Sequence, residues 1–88
     1  MRQEQIMAGE ERYALNVKGL LSPLVHLKVI QRVHELEPGD RLTLEHIDPE
    51  SVNDLMAILK HYPLDLGELQ EQDGSFVLQL TKTSENTT

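Results

Sequence analysis

Two stretches of the chain place apolar residues at helical spacing, and each stretch begins with a helix-capping residue followed by proline. The first begins at Ser22-Pro23 and the second at Asp48-Pro49. Ser and Asp are favoured N-cap residues, and proline suits the first helical position because its missing N–H needs no intrahelical partner there. The sequence therefore predicts two amphipathic helices, the first about fourteen residues long and the second ending at Pro63. Their apolar faces comprise Val25, Val29, Ile30, Val33 and Leu36 in the first helix, and Val52, Leu55, Met56, Leu59 and Tyr62 in the second.

Short segments with alternating apolar and polar residues precede, separate and follow the two helices, and this alternation predicts strands. The hairpin signal Asp73-Gly74 joins the last two strands. The inward phase breaks between Leu66 and Leu69, which predicts a bulge near Gly67. The order β-α-β-α-β-β predicts an α/β (α+β) two-layer sandwich, in which a four-stranded mixed sheet carries two helices on one face. The strands are expected at residues 13–17, 41–45 and 64–71, and along the alternation of Phe76, Leu78 and Leu80.

Length, charge and cysteine content exclude several classes of function. With 88 residues the chain can form one domain, expected over residues 13–82, with a flexible segment at 1–12 and a disordered tail at 83–88. A net charge of −7 argues against direct nucleic-acid binding. No apolar run is long enough for membrane insertion or a signal peptide, so we expect a cytoplasmic protein. The absence of cysteine excludes disulfides, thiolate metal sites and thiol catalysis.

The charge is unevenly distributed along the chain. Residues 1–34 carry five Lys and Arg against three acids, whereas residues 35–73 carry two against eleven. This polarity suits the docking of an acidic partner onto the first third of the chain. A solvated acidic surface that keeps a small protein soluble explains the same distribution.

A series of turn and capping motifs runs along the chain: Gly19-Leu20-Leu21-Ser22-Pro23, then residues 36–42 (LEPGDRL), then Asp48-Pro49, with Asp54-Leu55 inside the second helix. Together these motifs resemble the TusA/SirA family of small sulfur-carrier proteins. Family members carry Gly-Leu-x-Cys-Pro-x-Pro after the first strand, followed by a Gly-Asp turn and an Asp-Pro helix start. The resemblance covers residues 13–82 and implies the same two-layer sandwich.

The resemblance implies a persulfide relay, in which the motif Cys accepts sulfur from a cysteine desulfurase and passes it on, for example towards thiolation of a tRNA wobble uridine. Here Ser22 stands at the position of that Cys, and Val25 at that of the second signature proline. A serine oxygen cannot hold a transferable persulfide. The part left to Ser22 is that of an N-cap, and Asp48 is expected to cap the second helix.

Other chemistry has weaker support in the sequence. His26 follows Ser22 by four residues, so the two side chains can meet on the helix, but the sequence supplies no third member for a nucleophilic site. The remaining histidines, at positions 34, 46 and 61, are scattered, and neither a metal nor a cofactor is expected. Leu24 and Leu27 point away from the apolar face, beside Ser22, and are candidates for contact with a partner.

Two hypotheses follow. The first is a non-catalytic, protein-binding or regulatory relative of the sulfur carriers, whose motif and binding candidates are Gly19, Leu20, Ser22, Pro23, Leu24, His26 and Leu27. The second is a sulfur carrier whose acceptor Cys has been replaced by Ser22. Both imply a protein partner such as a cysteine desulfurase or another sulfur-relay protein, and a monomer rather than an obligate oligomer.

Overall fold

The computed structural model describes residues 11–84 and contains the predicted elements in the predicted order. Both helices and all four strands are present, so the β-α-β-α-β-β prediction is confirmed. The elements are β1 (Arg12–Asn16), α1 (Leu24–His34), β2 (Arg41–Ile47), α2 (Pro49–Leu59), β3 (Leu64–Gln72) and β4 (Ser75–Lys82).

The strands form one mixed sheet in the order β1-β2-β4-β3. β1 runs parallel to β2, while β4 is antiparallel to both of its neighbours, β2 and β3. The parallel pair is connected through α1, because parallel neighbours need a crossover rather than a tight hairpin. β1 and β3 are therefore the two edges of the sheet.

The core lies between one face of the sheet and the two helices. Neighbouring strands pair Leu42 with Leu80 and Leu44 with Leu78, and all four side chains are fully buried. Both helices contribute to the same cluster, so they cover the same face of the sheet, as predicted. The helical members of the core are Val25, Val29, Val33, Leu55 and Leu59.

The predicted bulge in β3 is confirmed. The pairing of β3 with β4 shifts register between Leu66 and Leu69, around Gly67. A Cβ atom on Gly67 would lie 2.8 Å from the backbone oxygen of Gln79. Glycine at this position thus allows β3 to pass close to β4 without a steric clash.

Both helices are shorter than predicted. α1 has 11 residues and ends at His34, after which Glu35 and Leu36 donate to the carbonyls three residues before them. α2 ends at Leu59 rather than next to Pro63, and its last turn tightens in the same way. Leu36 and Tyr62 pack against the core from these tight turns, so the apolar pattern of each helix continues past its last residue. This continuation is why the sequence predicts longer helices.

The two ends of the described chain meet at Asp40, a buried residue. Its side chain accepts from the backbone N–H of Glu11 at 3.0 Å and of Glu37 at 2.8 Å, and its carbonyl accepts from Lys82 N at 2.9 Å. Because Lys82 is bonded to Asp40 in this way, β4 extends two residues beyond Leu80, which is the last residue of the predicted alternation. Most of the predicted flexible segment (1–12) and tail (83–88) lies outside the described residues.

Candidate functional site

The connection from β1 to α1 holds most of the residues that the sequence singles out. Gly19 adopts a φ of 81°, in the left-handed region where glycine is favoured. Leu20 then donates its N–H to the carbonyl of Val17 at 3.0 Å and packs against the core. This tight turn brings the chain to the sheet surface and presents the next residues, Leu21 and Ser22, to solvent.

Ser22 does not cap α1, so that prediction is wrong. Pro23 occupies the N-cap position, and no side chain makes a capping hydrogen bond there. The Ser22-Pro23 peptide bond is cis. The physical reason is that the Ser22 hydroxyl is committed elsewhere: its Oγ lies 3.2 Å from Nε2 of His26.

The contact between Ser22 and His26 that the four-residue spacing allows is therefore present in the structure. The hydroxyl donates to Nε2 when the ring proton is on Nδ1 and accepts from Nε2–H in the other tautomer. Nucleophilic catalysis by serine also needs a group that orients the histidine. Within residues 11–84 no carboxylate forms a hydrogen bond or ion pair with His26. This pair lacks the third member of a hydrolytic site.

Three exposed leucines surround this serine along the chain, and we call them the leucine patch: Leu21, Leu24 and Leu27. Their side chains are 46%, 60% and 63% exposed. Leu24 and Leu27 are three residues apart in α1 and share one face of the helix, as the sequence predicts. The exposure of Leu21 was not predicted. The pair Leu20-Leu21 indicates it, because only one of two adjacent residues in a tight turn can enter the core.

Asp48 caps α2 as predicted. Its carboxylate accepts from the backbone N–H of Glu50 at 2.8 Å, and Pro49 follows it at the start of the helix. Asp54 is exposed on the same helix. Asp48 thus precedes α2 and Asp54 lies on it, and neither is in the turn that holds Ser22.

The remaining histidines do not gather around Ser22. His34 packs edge-on against Tyr62, with 5.9 Å between ring centroids, while His46 and His61 are exposed. Among residues 11–84 there is no group of three His, Asp or Glu side chains placed to hold a metal ion. No helix in this part of the chain is long and apolar enough to cross a membrane.

Tyr13, on the helix-facing side of β1, has its pKa raised above 10.0. Partial burial of the phenol is the main cause, followed by the negative charges of Asp40 and Glu11. The guanidinium of Arg32, 5.6 Å from the centroid of the ring, acts in the opposite direction. No local sequence pattern indicates this contact, because Tyr13 lies on β1 and Arg32 on α1.

Comparison with known proteins gives a match at the level of the family. No curated protein and no solved structure gives a significant match to the chain. The family model described as sulfurtransferase TusA matches residues 13–82, which run from the second residue of β1 to the last residue of β4. By this match, and with the fold and motif turn described above, the chain belongs to the TusA family of sulfurtransferases.

Proposed function

We propose that this chain is a TusA-family domain that binds a protein partner through the leucine patch and does not itself carry sulfur. The observation that carries the proposal is Ser22, which stands at the acceptor position of the family motif beside three exposed leucines. The fold that presents this position is complete, whereas the atom that would receive sulfur is an oxygen.

Sulfur transfer between carriers needs a thiol at the acceptor position. The acceptor thiolate attacks the outer sulfur of the donor persulfide, a new S–S bond forms, and the donor cysteine leaves as its thiolate. The Ser22 hydroxyl is a poor nucleophile without a base that is itself oriented, and attack would yield an S–O bond instead of a persulfide. Ser22 therefore prevents the chemical step of the relay, whereas the exposed leucines beside it do not depend on a thiol to contact a partner.

The leucine patch supports a binding role. Exposed leucines that contribute to no core, two of them on one face of α1 and the third in the turn before it, gain free energy only when another surface covers them. A partner from the sulfur relay, such as a cysteine desulfurase, suits a surface that adjoins the acceptor position. Bound there, the serine domain would occupy the docking site of a sulfur carrier without taking the sulfur, which is a regulatory effect.

Sulfur loading tests the non-carrier part of the proposal. The full chain and its Ser22→Cys variant are each incubated with a cysteine desulfurase and cysteine, and intact masses are measured before and after reduction. We expect no added sulfur on the Ser22 chain and one reducible sulfur on the variant. A reducible sulfur on the Ser22 chain would overturn the proposal. Failure of the cysteine variant to load would exclude the alternative, a carrier that lacks only its Cys.

Binding tests the role of the leucine patch separately. Affinity for the desulfurase is measured by calorimetry for the unchanged chain and for Leu24→Asn with Leu27→Asn. We expect a loss of about tenfold or more, because two buried leucine contacts are replaced by polar amides. Ala57→Asn, an exposed substitution on α2, is the control and should bind as the unchanged chain does. Equal affinity of the leucine variant and the control would contradict a docking role for the patch.

A further inference from the structure

The outer edge of β1 offers unpaired backbone groups. Among residues 11–84, β1 pairs with β2 alone. The carbonyl of Glu11 accepts from Arg41 N at 2.9 Å, and Val17 N donates to the carbonyl of Glu45 at 3.0 Å. Since alternate residues of a strand bond to the same neighbour, the odd-numbered residues of β1 face β2. The N–H and C=O groups that face away from β2 belong to Arg12, Ala14 and Asn16.

A groove runs beside this edge on the helix side of the sheet, and we call it the β1 groove. Two adjoining concavities of about 250 and 180 Å³ form it. Tyr13 and Leu15 of β1 lie along one wall, and Lys28 and Arg32 of α1 along the other, with Glu35 at both concavities. A strand added to β1 would place every second side chain in this groove.

The charge of the groove differs from that of the chain as a whole. Lys28 and Arg32 are one helical turn apart and both line it, and with Glu35 the lining carries one excess positive charge, although the chain carries a net charge of −7. The acids Glu11, Glu37 and Asp40 act on its Tyr13 end, so the cationic part of the groove is the part along α1. Arg32 Nη1 pairs with Glu35 Oε1 at 3.1 Å, but both side chains are well exposed, at 39% and 55%, so the pair is readily exchanged. The Arg32 Nε atom is enclosed and has no hydrogen-bond partner within the described part of the chain. Because Nε is enclosed, an incoming carboxylate would bind the Nη groups at the exposed end of the guanidinium.

Strand and helix spacings coincide in this groove. Side chains on one face of an extended peptide recur about every 6.7 Å, and residues four apart in a helix are separated by about 6 Å along the axis. Two acids separated by one residue can therefore approach Lys28 and Arg32 together. We propose that the β1 groove binds an extended acidic segment of another protein by strand addition, with an acid-x-acid motif facing α1.

A second copy of this chain is a poorer occupant of the groove. Pairing two β1 strands would bring Lys28 and Arg32 of each copy towards the same cations of the other, and like charges oppose such contact. The proposed segment has the complementary charge. Because it contacts neither Ser22 nor the leucine patch, the proposal is independent of the function proposed above.

The test uses the full chain and a labelled peptide, Thr-Val-Asp-Val-Asp-Val-Thr, followed by fluorescence anisotropy. We expect saturable binding that is lost when both Asp are replaced by Lys in the peptide. Lys28→Glu should weaken binding about tenfold, whereas Lys60→Glu, the same charge change at an exposed site outside the groove, should change it less than about twofold. Glu35→Gln should strengthen binding, because it removes the competing carboxylate.

Ala14→Pro tests the backbone part of the proposal. Proline is tolerated on an edge strand when the missing N–H faces outward, so this variant should keep its circular dichroism spectrum and lose the peptide. If it fails to fold, a peptide N-methylated at alternate residues provides the same test from the other side and should not bind. Equal binding of the Lys peptide, equal effects of the two lysine variants, binding of the N-methylated peptide, or a dimer that the acidic peptide does not displace would each overturn the proposal.

Discussion

The side-chain Nζ of Lys82 donates to the carbonyl oxygen of Val33 at 3.0 Å, across 49 positions of the sequence. The same atom donates to the carbonyl of Leu36, also at 3.0 Å. The last turn of a helix leaves carbonyls without intrahelical partners, and at the end of α1 a lysine from β4 supplies the donors. Lys82 is fully buried, so this contact joins the last strand to the first helix inside the molecule.

Lys82→Met should therefore destabilise the protein. Methionine fills much of the same volume but offers no donor, which leaves the Leu36 carbonyl without its lysine partner, and we expect a loss of about 1–3 kcal/mol. Urea unfolding followed by circular dichroism measures it. Lys60→Met removes an exposed lysine and should cost less than about 0.5 kcal/mol. Equal stabilities of the two variants would show that the Lys82 hydrogen bonds add nothing to the fold.

Gly67→Ala should also destabilise, through a steric effect. The new Cβ would lie 2.8 Å from the Gln79 backbone oxygen, and neither strand can move without disturbing the β3–β4 pairing. Overpacking of this kind costs about 1–3 kcal/mol. Thermal unfolding of this variant is compared with that of Glu68→Ala, an exposed neighbour. A Tm for Gly67→Ala as high as that of the control would mean that the bulge relaxes freely.

Ser22 and Asp48, which precede the two helices, should respond differently to substitution by alanine. Asp48→Ala removes a formed cap and should cost about 1 kcal/mol. Ser22→Ala removes no cap, only an exposed contact with His26, and should cost less than about 0.5 kcal/mol. Chemical denaturation of the two variants in parallel checks the difference. An equal loss at Ser22 would contradict its placement before the N-cap.

The raised pKa of Tyr13 predicts a loss of stability at alkaline pH. A tyrosine whose pKa is higher in the folded than in the unfolded protein favours the folded state only while its phenol is protonated. This contribution to the free energy of unfolding is complete below the unfolded pKa and is lost as the pH rises through the folded pKa. Stability should therefore fall above pH 10.0, and fall less in Tyr13→Phe. Arg32→Gln should raise the pKa of Tyr13 further, because it removes a charge that favours the phenolate. Urea unfolding at several pH values checks the first prediction, and absorbance titration of the phenol checks the second; a lower pKa in Arg32→Gln would contradict the assigned contact.

The sequence predicted the fold where local pattern determines structure. Alternation and helical spacing gave the element order, and the broken phase after Leu66 gave the bulge. Capping rules worked at Asp48 but failed at Ser22, because a nearby imidazole competes for its hydroxyl and no propensity describes that competition. The role of Lys82 was missed for a related reason. A lysine near the end of a chain is usually exposed, and its partners here lie 46 and 49 positions away.

The candidate site was predicted in part. Ser22, His26, Leu24 and Leu27 are adjacent in sequence, so helical geometry alone places them together. The β1 groove has no such local signature. Its walls come from β1 and α1, and its cations become neighbours of Tyr13 only once the crossover packs α1 against the sheet.

The convergence of Glu11 and Lys82 on Asp40 has a consequence for how this fold can be built into larger proteins. Glu11 and Lys82 lie at one corner of the sheet, where each is hydrogen-bonded to Asp40. A fold that enters and exits at one point can be inserted into a surface loop of a host protein without stretching the host, or be circularly permuted through a short linker. The meeting of these two segments at Asp40 thus predicts that the fold tolerates insertion into another chain and circular permutation.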